Sequence, residues 1–420
     1  MVKSTMKSCN CKKQITIKIS IYTEILIFAT LFVLGLIVRI NLISHYTADT
    51  GNFILWFNYV KDIGNFSAFK DFIGDYNVAY VALLYLSTFL PFSDIVCVKL
   101  TAILFDFFGI AAGYLLLHGI ATENGLDRIK SRRYGEIGAL LLWLSPIAIS
   151  NSALQGQLEA LWTFCGFLSL YLVLKKHPVL GMIFFGFAFS MKPQGIFFLP
   201  VLLWIYYRSK SFSILHFLIV PVTVQILCIP SMLGGNSFLF FWEHFLWQST
   251  MYPYLYCYYP NIWIWMRDLP YWAFSKVGIG MMITAFVVYT VRYVKDCRER
   301  IWTLEMDLEL AIWSLMTCAM FLPAMHERYN YPAEVMLPLL AVFNRRYRIP
   351  AVFLVVSGIL CNRFSYYNNY TQPEFYGLSI LNIIVYVCLT LGVINTLTST
   401  SGQICEDDNK ILGKKEHAND

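Results

Sequence analysis

The chain reads as a succession of apolar runs separated by short polar segments. The first covers residues 21–43. Others lie near 78–91, 95–118, 135–150, 158–174, 178–191, 195–207, 213–232, 271–294, 303–323, 330–344, 350–363 and 377–397. A helix needs about 20 residues to cross a bilayer, within a range near 17–25. Several runs are shorter, and short spans can be kinked, tilted or half-buried against neighbours. The pattern predicts an all-α, polytopic integral membrane protein with about 12–13 transmembrane helices. No internal repeat or low-complexity linker divides it. Residues 21–397 therefore read as one membrane body, between a basic N-terminus (1–20) and a polar tail (398–420).

Composition agrees. Of the 420 residues 58% are hydrophobic, 17% aromatic and 14% charged, against about 25% charged in a soluble globular protein. Too few charges remain to coat a water-facing surface. This excludes a soluble enzyme, a disordered protein and a nucleic-acid-binding module. The net charge of +6 is small for the length and sits largely at the ends of apolar runs, so it reads as an orientation signal. The eleven Cys are scattered without zinc-type spacing and read as buried apolar residues.

Positive clusters set the expected topology. Residues 1–20 hold five Lys and no acid. The following run is long and lacks a small-x-small cleavage site, which favours a retained first helix with a cytosolic N-terminus over a signal peptide. Arg128 to Arg133, Lys175 with Lys176, Arg208 with Lys210, Arg292 to Arg300, and Arg345 to Arg348 complete the cytosolic set, to which the polar tail (398–420) also belongs. Three runs precede the basic loop at 128–133, where an even number is required. The short run 78–91 is therefore assigned as a re-entrant or partial span, which leaves twelve full spans.

The opposite face then carries residues 44–77, the turns at 151–157, 191–195 and 324–329, the loop 233–270, and 364–376. Phe53, Trp56, Phe57 and Val60 recur at helical spacing and predict a helix in 51–63 lying flat in the interface. Loop 233–270 is dense in aromatics, among them Trp242, Phe245, Trp247, Tyr252, Tyr256, Tyr258 and Trp263. An aromatic belt accounts for part of this, and a loop of this length usually does more than connect. Two sequons, Asn65-Phe66-Ser67 and Asn369-Tyr370-Thr371, fall in the same outer set.

Ionisable groups at membrane depth are costly and mark cavities with a task. Asp49, in His45-Tyr46-Thr47-Ala48-Asp49-Thr50, can be an N-cap of the interfacial helix, a general base on a hydroxyl, or both. Asp75 can be a turn residue or a second carboxylate in the same vestibule. Lys99 and Asp106 share a helix face, either as a compensating pair or as cavity lining. Asn151, Gln155, Gln157 and Glu159 cluster at one outer turn. Lys192-Pro193-Gln194 breaks a hairpin, and Lys192 needs an anionic partner, which a phosphate or Glu159 could supply. His326-Glu327-Arg328-Tyr329 places titratable groups together at a helix end, where Arg fits a phosphate in a bidentate fashion. No P-loop, GxGxxG or nucleophile elbow is present.

In that order, these residues resemble the GT-C superfamily of polyprenyl-phosphate-sugar-dependent glycosyltransferases, across about residues 20–345. They look most like bacterial membrane proteins related to the second mannosyltransferase of GPI-anchor assembly. The dolichyl-phosphate-glucose-dependent transferases of N-glycan assembly are similar too. Asn77 and Val78 stand where the family often has Asp-Tyr-Pro-Pro prolines, and Gln155-Gly156-Gln157 where it often has Trp-Gly-Gln. The resemblance implies inverting transfer of a hexose, mannose or glucose, from a polyprenyl-phosphate donor to a glycan, lipid or protein acceptor. Asp49 would be the base. Asp75, Gln155 and Gln157 would line the acceptor cavity. Lys192, Gln194, His326, Glu327, Arg328 and Tyr329 would hold the donor phosphate. No cofactor is expected beyond the lipid-linked sugar, although Asp49, Asp75 and Glu327 could offer oxygen ligands to a divalent ion. The site would face away from the cytosol, in a bacterial plasma membrane or the endoplasmic reticulum. The competing expectation is a transporter or flippase of lipid-linked saccharides.

Overall fold

The computed structural model describes residues 21–70, 74–366 and 373–398, apart from the side chains of 299 and 364–366. The two ends of the chain predicted to be cytosolic and the second sequon lie outside the described residues. Among the described residues every regular element is helical, and no strand occurs.

The long apolar runs become long helices: α1 (Ile21–Leu42), then after α2 (Ala48–Ile63) and α3 (Val78–Ser87) the longest, α4 (Asp94–Glu123). Thr47 caps α2, its Oγ1 accepting from the Thr50 N–H at 3.1 Å, and Gly64 ends it at φ 66°. That conformation suits glycine because no Cβ is present to clash. The cap is thus Thr47 and not Asp49, which sits in the first turn, where a carboxylate is favoured by the helix dipole. Of the α2 stripe, Phe53, Phe57 and Val60 are buried inside the protein, with α3 and α4 packed against the helix, while Trp56 stays half-buried.

α5 (Arg128–Trp143) is capped by Asp127, which accepts from the Lys130 N–H. It is followed, across a bend of 42°, by α6 (Pro146–Ile149) and a π-helical turn, Ser150–Leu154. Pro146 lacks the N–H that would continue the ladder, which explains the break. α4 and α5 meet backbone to backbone at Gly113 and Gly138, where a Cβ on either would overlap the other's carbonyl. Such small-residue contacts let apolar helices approach closely.

α7 (Glu159–Leu174) is apolar all round, and every residue from Glu159 to Leu170 is buried. It forms the centre of the body. α8 (Pro178–Met191) packs against it and ends at Lys192-Pro193. A short 3₁₀ segment, Pro193–Phe198, then leads into α9 (Leu199–Ser209). The run 213–232 divides into a 3₁₀ turn, α10 (Ile219–Leu227) and α11 (Ile229–Leu233), with Pro230 at the second break. Loop 233–270 contains a helix that the sequence did not predict, α12 (Phe240–Gln248). The remaining helices are α13 (Tyr271–Asp296), α14 (Leu304–Phe321), α15 (Tyr331–Phe343), α16 (Arg348–Tyr366) and α17 (Glu374–Thr398).

Four helices, α1, α4, α13 and α17, are long and apolar enough to cross a membrane, or five spans if α5 and its bent continuation count as one. This is fewer than the 12–13 expected. Several of the other runs became helices of 10–17 residues, and α3, with ten residues, is about 15 Å long. Large apolar side chains on the outside of the body, such as Ile25, Leu26, Leu34, Val288 and Val291, are exposed. Exposed apolar side chains on long apolar helices are compatible with a membrane protein.

Three helices connect two unlike ends of the molecule. α9, α13 and α14 each have one end at the wall of a large cavity, beside Phe197, Tyr271 and Leu322 respectively. Their other ends meet a basic cluster, beside Arg208, Cys297 and Trp302. α14, with 18 residues, separates the two by about 27 Å, close to the thickness of a bilayer's hydrocarbon core.

Candidate active site: two cavities sharing Arg328

The turn after α14 is built by the backbone. Pro323 stops the helix and keeps Leu322 extended (ψ 141°), as the residue before a proline prefers. Ala324 then adopts φ 56°. A non-glycine residue in this region is strained and is held there by its surroundings. The holding contacts come from loop 233–270. The Ala324 N–H donates to Leu255 O at 3.1 Å, and the Tyr259 N–H to Met325 O at 3.0 Å. Asn261 ties the same loop to α14 through a 2.9 Å bond to Ala319 O. The aromatic loop thus folds over the site and orients His326-Glu327-Arg328-Tyr329.

Arg328 sits among three carboxylates. Its Nη1 donates to Glu327 Oε1 at 3.0 Å and lies 3.8 Å from Asp49 Oδ2, while Nε is 3.4 Å from Glu159 Oε1. The first turn of α2, the start of α7 and the turn after α14 therefore meet at one guanidinium. Gln157 joins them. Its Nε2 donates to Asp49 Oδ2 at 2.6 Å, and its Oε1 accepts from Tyr76 Oη–H at 2.7 Å. Gln157 is buried, whereas the Asp49 side chain keeps 31% exposure. Asp49 is positioned yet reachable.

Lys192 pairs with Glu159 and lies over the rings of Tyr76 and Tyr329, 5.2 and 5.0 Å from their centroids. Of the two partners the sequence left open, the structure supplies the carboxylate. The Asp75 Oδ2 accepts from Tyr252 Oη–H at 3.0 Å, and its carbonyl accepts from Gln248.

Two cavities share this cluster. The larger, about 340 Å³, is lined by Lys192, Gln194 and Tyr329 together with apolar residues such as Met191, Phe197, Phe245 and Ile279. The smaller, about 140 Å³, is lined by Asp49, Asn52, Trp56, Gln157, Tyr258 and Glu327. Asp75, Tyr76, Tyr252, His326 and Arg328 belong to both and form the dividing wall.

Burial pushes the His326 imidazole well below its ordinary range, and nearby Arg328 and Lys192 push it further. It is neutral at neutral pH. Burial pushes the Glu327 carboxyl up, opposed by Arg328. Cys257 lies 3.6 Å from the His326 ring, but burial pushes its thiol up to about 12, so the two form no thiolate–imidazolium pair. Three buried oxygens in the larger cavity have no hydrogen-bond partner: Asp75 Oδ1, Gln194 Oε1 and Gln248 Oε1. Unpaired buried acceptors of this kind are uncommon in folded proteins.

Most of the residues expected from sequence converge here, with exceptions. Gln155 is buried away from both cavities, and its carbonyl accepts from Thr50 Oγ1 at 3.2 Å. Asn151 accepts from the Glu159 N–H. Lys99 and Asp106 do not pair. Lys99 donates to the carbonyls of Leu42 and His45 at the end of α1, and Asp106 binds Arg39 at 2.8 Å and Ser152 at 2.6 Å. Among the described residues no three His, Cys, Asp or Glu side chains gather as a metal site would require, and Arg328 occupies the space between Asp49, Glu159 and Glu327. Sequence reasoning missed Arg39, Gln248 and Asn52. Arg39 alone left a signal, as a cation inside an apolar run.

No protein-family model matches the chain, and no curated protein matches it.

Proposed function

We propose that the protein is an integral membrane glycosyltransferase that moves a hexose from a polyprenyl-phosphate donor to a hydroxyl acceptor. The observation that carries this reading is the wall between the two cavities. A polar chamber holding Asp49 meets an apolar one holding Lys192, with Arg328 on both sides.

In this mechanism the acceptor enters the smaller chamber, and Asp49 takes the proton from its hydroxyl. Gln157 fixes which Asp49 oxygen faces the acceptor. The acceptor oxygen attacks the anomeric carbon, the bond to the phosphate oxygen breaks, and the configuration inverts. Negative charge grows on the departing lipid phosphate, where Arg328 and Lys192 supply positive charge and neutral His326 supplies one N–H. The prenyl chain follows the apolar wall of Phe197, Phe245 and Ile279. The unpartnered oxygens of Asp75, Gln194 and Gln248 suit the hydroxyls of a sugar. Trp56 and Tyr258 offer ring faces to the acceptor. The body spans a bilayer, with short helices such as α7 and α15 packed inside it, and the site faces away from the cytosol.

A carrier of lipid-linked saccharides is supported by one observation, the buried Arg39–Asp106–Ser152 network between α1, α4 and the bent α5–α6 segment. One experiment decides between the readings. Purified full-length protein is given a panel of polyprenyl-phosphate hexoses with and without acceptors. Acceptor-dependent release of free polyprenyl phosphate supports the transferase. Movement of intact donor between leaflets without release supports the carrier.

A further inference from the structure

At the end of the molecule remote from Arg328, two segments far apart in sequence form a second pocket. It is an open pocket of about 460 Å³ lined by Arg208, Lys210, Arg298, Arg300, Cys297 and Trp302, with Ser209 at its edge. Among the described residues four cations and no acid form this lining. Arg208 is already neutralised, since both of its terminal nitrogens reach the Asp307 carboxylate at 2.6 Å. Lys210 and Arg298 are different. Both are exposed, and among the described residues neither makes an ion pair; Arg298 only leans over the Tyr207 ring at 5.5 Å. The nearby Asp296 carboxylate is held by Arg292 at 2.5 Å.

We infer that this pocket binds a phosphate-bearing anion at the face opposite the cavities, with the headgroup of an anionic lipid as its occupant. Charge supplies the first part of the argument. Two uncompensated cations beside a buried, completed ion pair give a positive concavity, which attracts a diffuse anion such as a phosphate. Position supplies the second. The pocket lies at the ends of α9, α13 and α14, about one hydrocarbon thickness from the cavities. The flanking α13 presents Val287, Val288, Val291 and Val294 to the outside, and Ile301 projects beside Arg300. An apolar helix surface running into a basic pocket matches a phospholipid, whose acyl chains and headgroup phosphate occupy those two environments together. The inference does not depend on the transferase reading.

The test uses the full chain in phosphatidylcholine nanodiscs titrated with phosphatidylglycerol, with retained lipids counted by native mass spectrometry. Inorganic phosphate is titrated in a second arm. The comparison is Lys210→Glu/Arg298→Glu, with Lys210→Gln/Arg298→Gln as a milder pair should the first fail to fold. Wild type should retain phosphatidylglycerol in preference to phosphatidylcholine. The charge-reversed protein should lose that preference by about tenfold or more, with an unchanged melting temperature. Inorganic phosphate binding that vanishes in the variants while lipid preference persists would keep the anion site and overturn the lipid occupant. Equal lipid and phosphate binding in wild type and variants would overturn the site itself, leaving cations that merely complement helix carboxyl ends.

Discussion

The two ends of α14 treat charge in opposite ways. At its amino end Asp307 and Arg208 form a complete pair, both oxygens against both terminal nitrogens at 2.6 Å, with the guanidinium 4.4 Å above the Trp302 ring. At its carboxyl end Arg328 is divided among Glu327, Asp49 and Glu159 at 3.0, 3.8 and 3.4 Å. One arginine is saturated, and the other is shared. A saturated pair holds helices together and has nothing left to offer. On the proposed reading a shared arginine can turn toward an incoming anion, because Glu159 keeps Lys192 and Asp49 keeps Gln157 as partners. On that reading the difference separates a group that serves the fold from one that serves a ligand, although both are largely buried arginines beside acids.

Substitutions break this contrast in a defined order. Asp49→Asn should lower acceptor-dependent release of lipid phosphate by about 10⁴-fold, the upper range for a lost general base. Its melting temperature should stay close to wild type because the side chain is part exposed. A fully active Asp49→Asn protein would remove the assignment. Arg208→Ala should cost about 3–5 kcal/mol in stability, since it strands Asp307 in a buried site. The turnover of the protein that remains folded should not change, and a selective loss of turnover would erase the distinction between the two ends. Gln157→Leu should reduce turnover about tenfold, the cost of about one hydrogen bond to a charged group. It should act on kcat more than on KM, because it frees Asp49 to turn.

The smallest effect concerns pH. His326 has a folded-state pKa below its unfolded value, so below about 6.5 the unfolded chain binds the extra proton first. Stability therefore falls as pH drops from about 6.5, by up to 1.4 kcal/mol per pH unit (about one proton). His326→Gln should flatten that slope in thermal melts between pH 6.5 and 5. An unchanged slope would mean that another group carries it.

Much of the architecture was legible because apolar runs and their breaks are local. Lys192-Pro193 and Leu322-Pro323 stop helices through proline geometry, and the structure places both breaks there. The meeting of Asp49 with Arg328 was expected from the resemblance and from topology, and the distance between them agrees. What could not be read depends on three-dimensional partners. Seven residues along a helix is about 10.5 Å of rise, too far for Lys99 to reach Asp106, so each found partners on other elements. Fewer helices than expected are long enough to count as spans because runs such as α7 and α8 fold into short helices, and in α7 the apolarity serves the buried core. Loop 233–270 signalled its importance through aromatic density, but its bonds to Ala324 and Met325 are made by main-chain groups, which carry no signature in side-chain identity.

The buried Arg39 bears on how the molecule is made. α1 leaves the ribosome before α4 and α5, so the carboxylate that neutralises its arginine arrives 67 residues later, and the Trp143 ring and carbonyl that enclose it come after 104. At synthesis rates of about 5–20 residues per second, the guanidinium waits several seconds for its partners. During that interval an isolated α1 carries a cation that hydrocarbon tolerates poorly. On the proposed reading of α1 as a membrane span, its stable insertion is therefore tied to the arrival of α4, and nascent chains halted before Asp106 should slip from the bilayer more readily than chains halted after it.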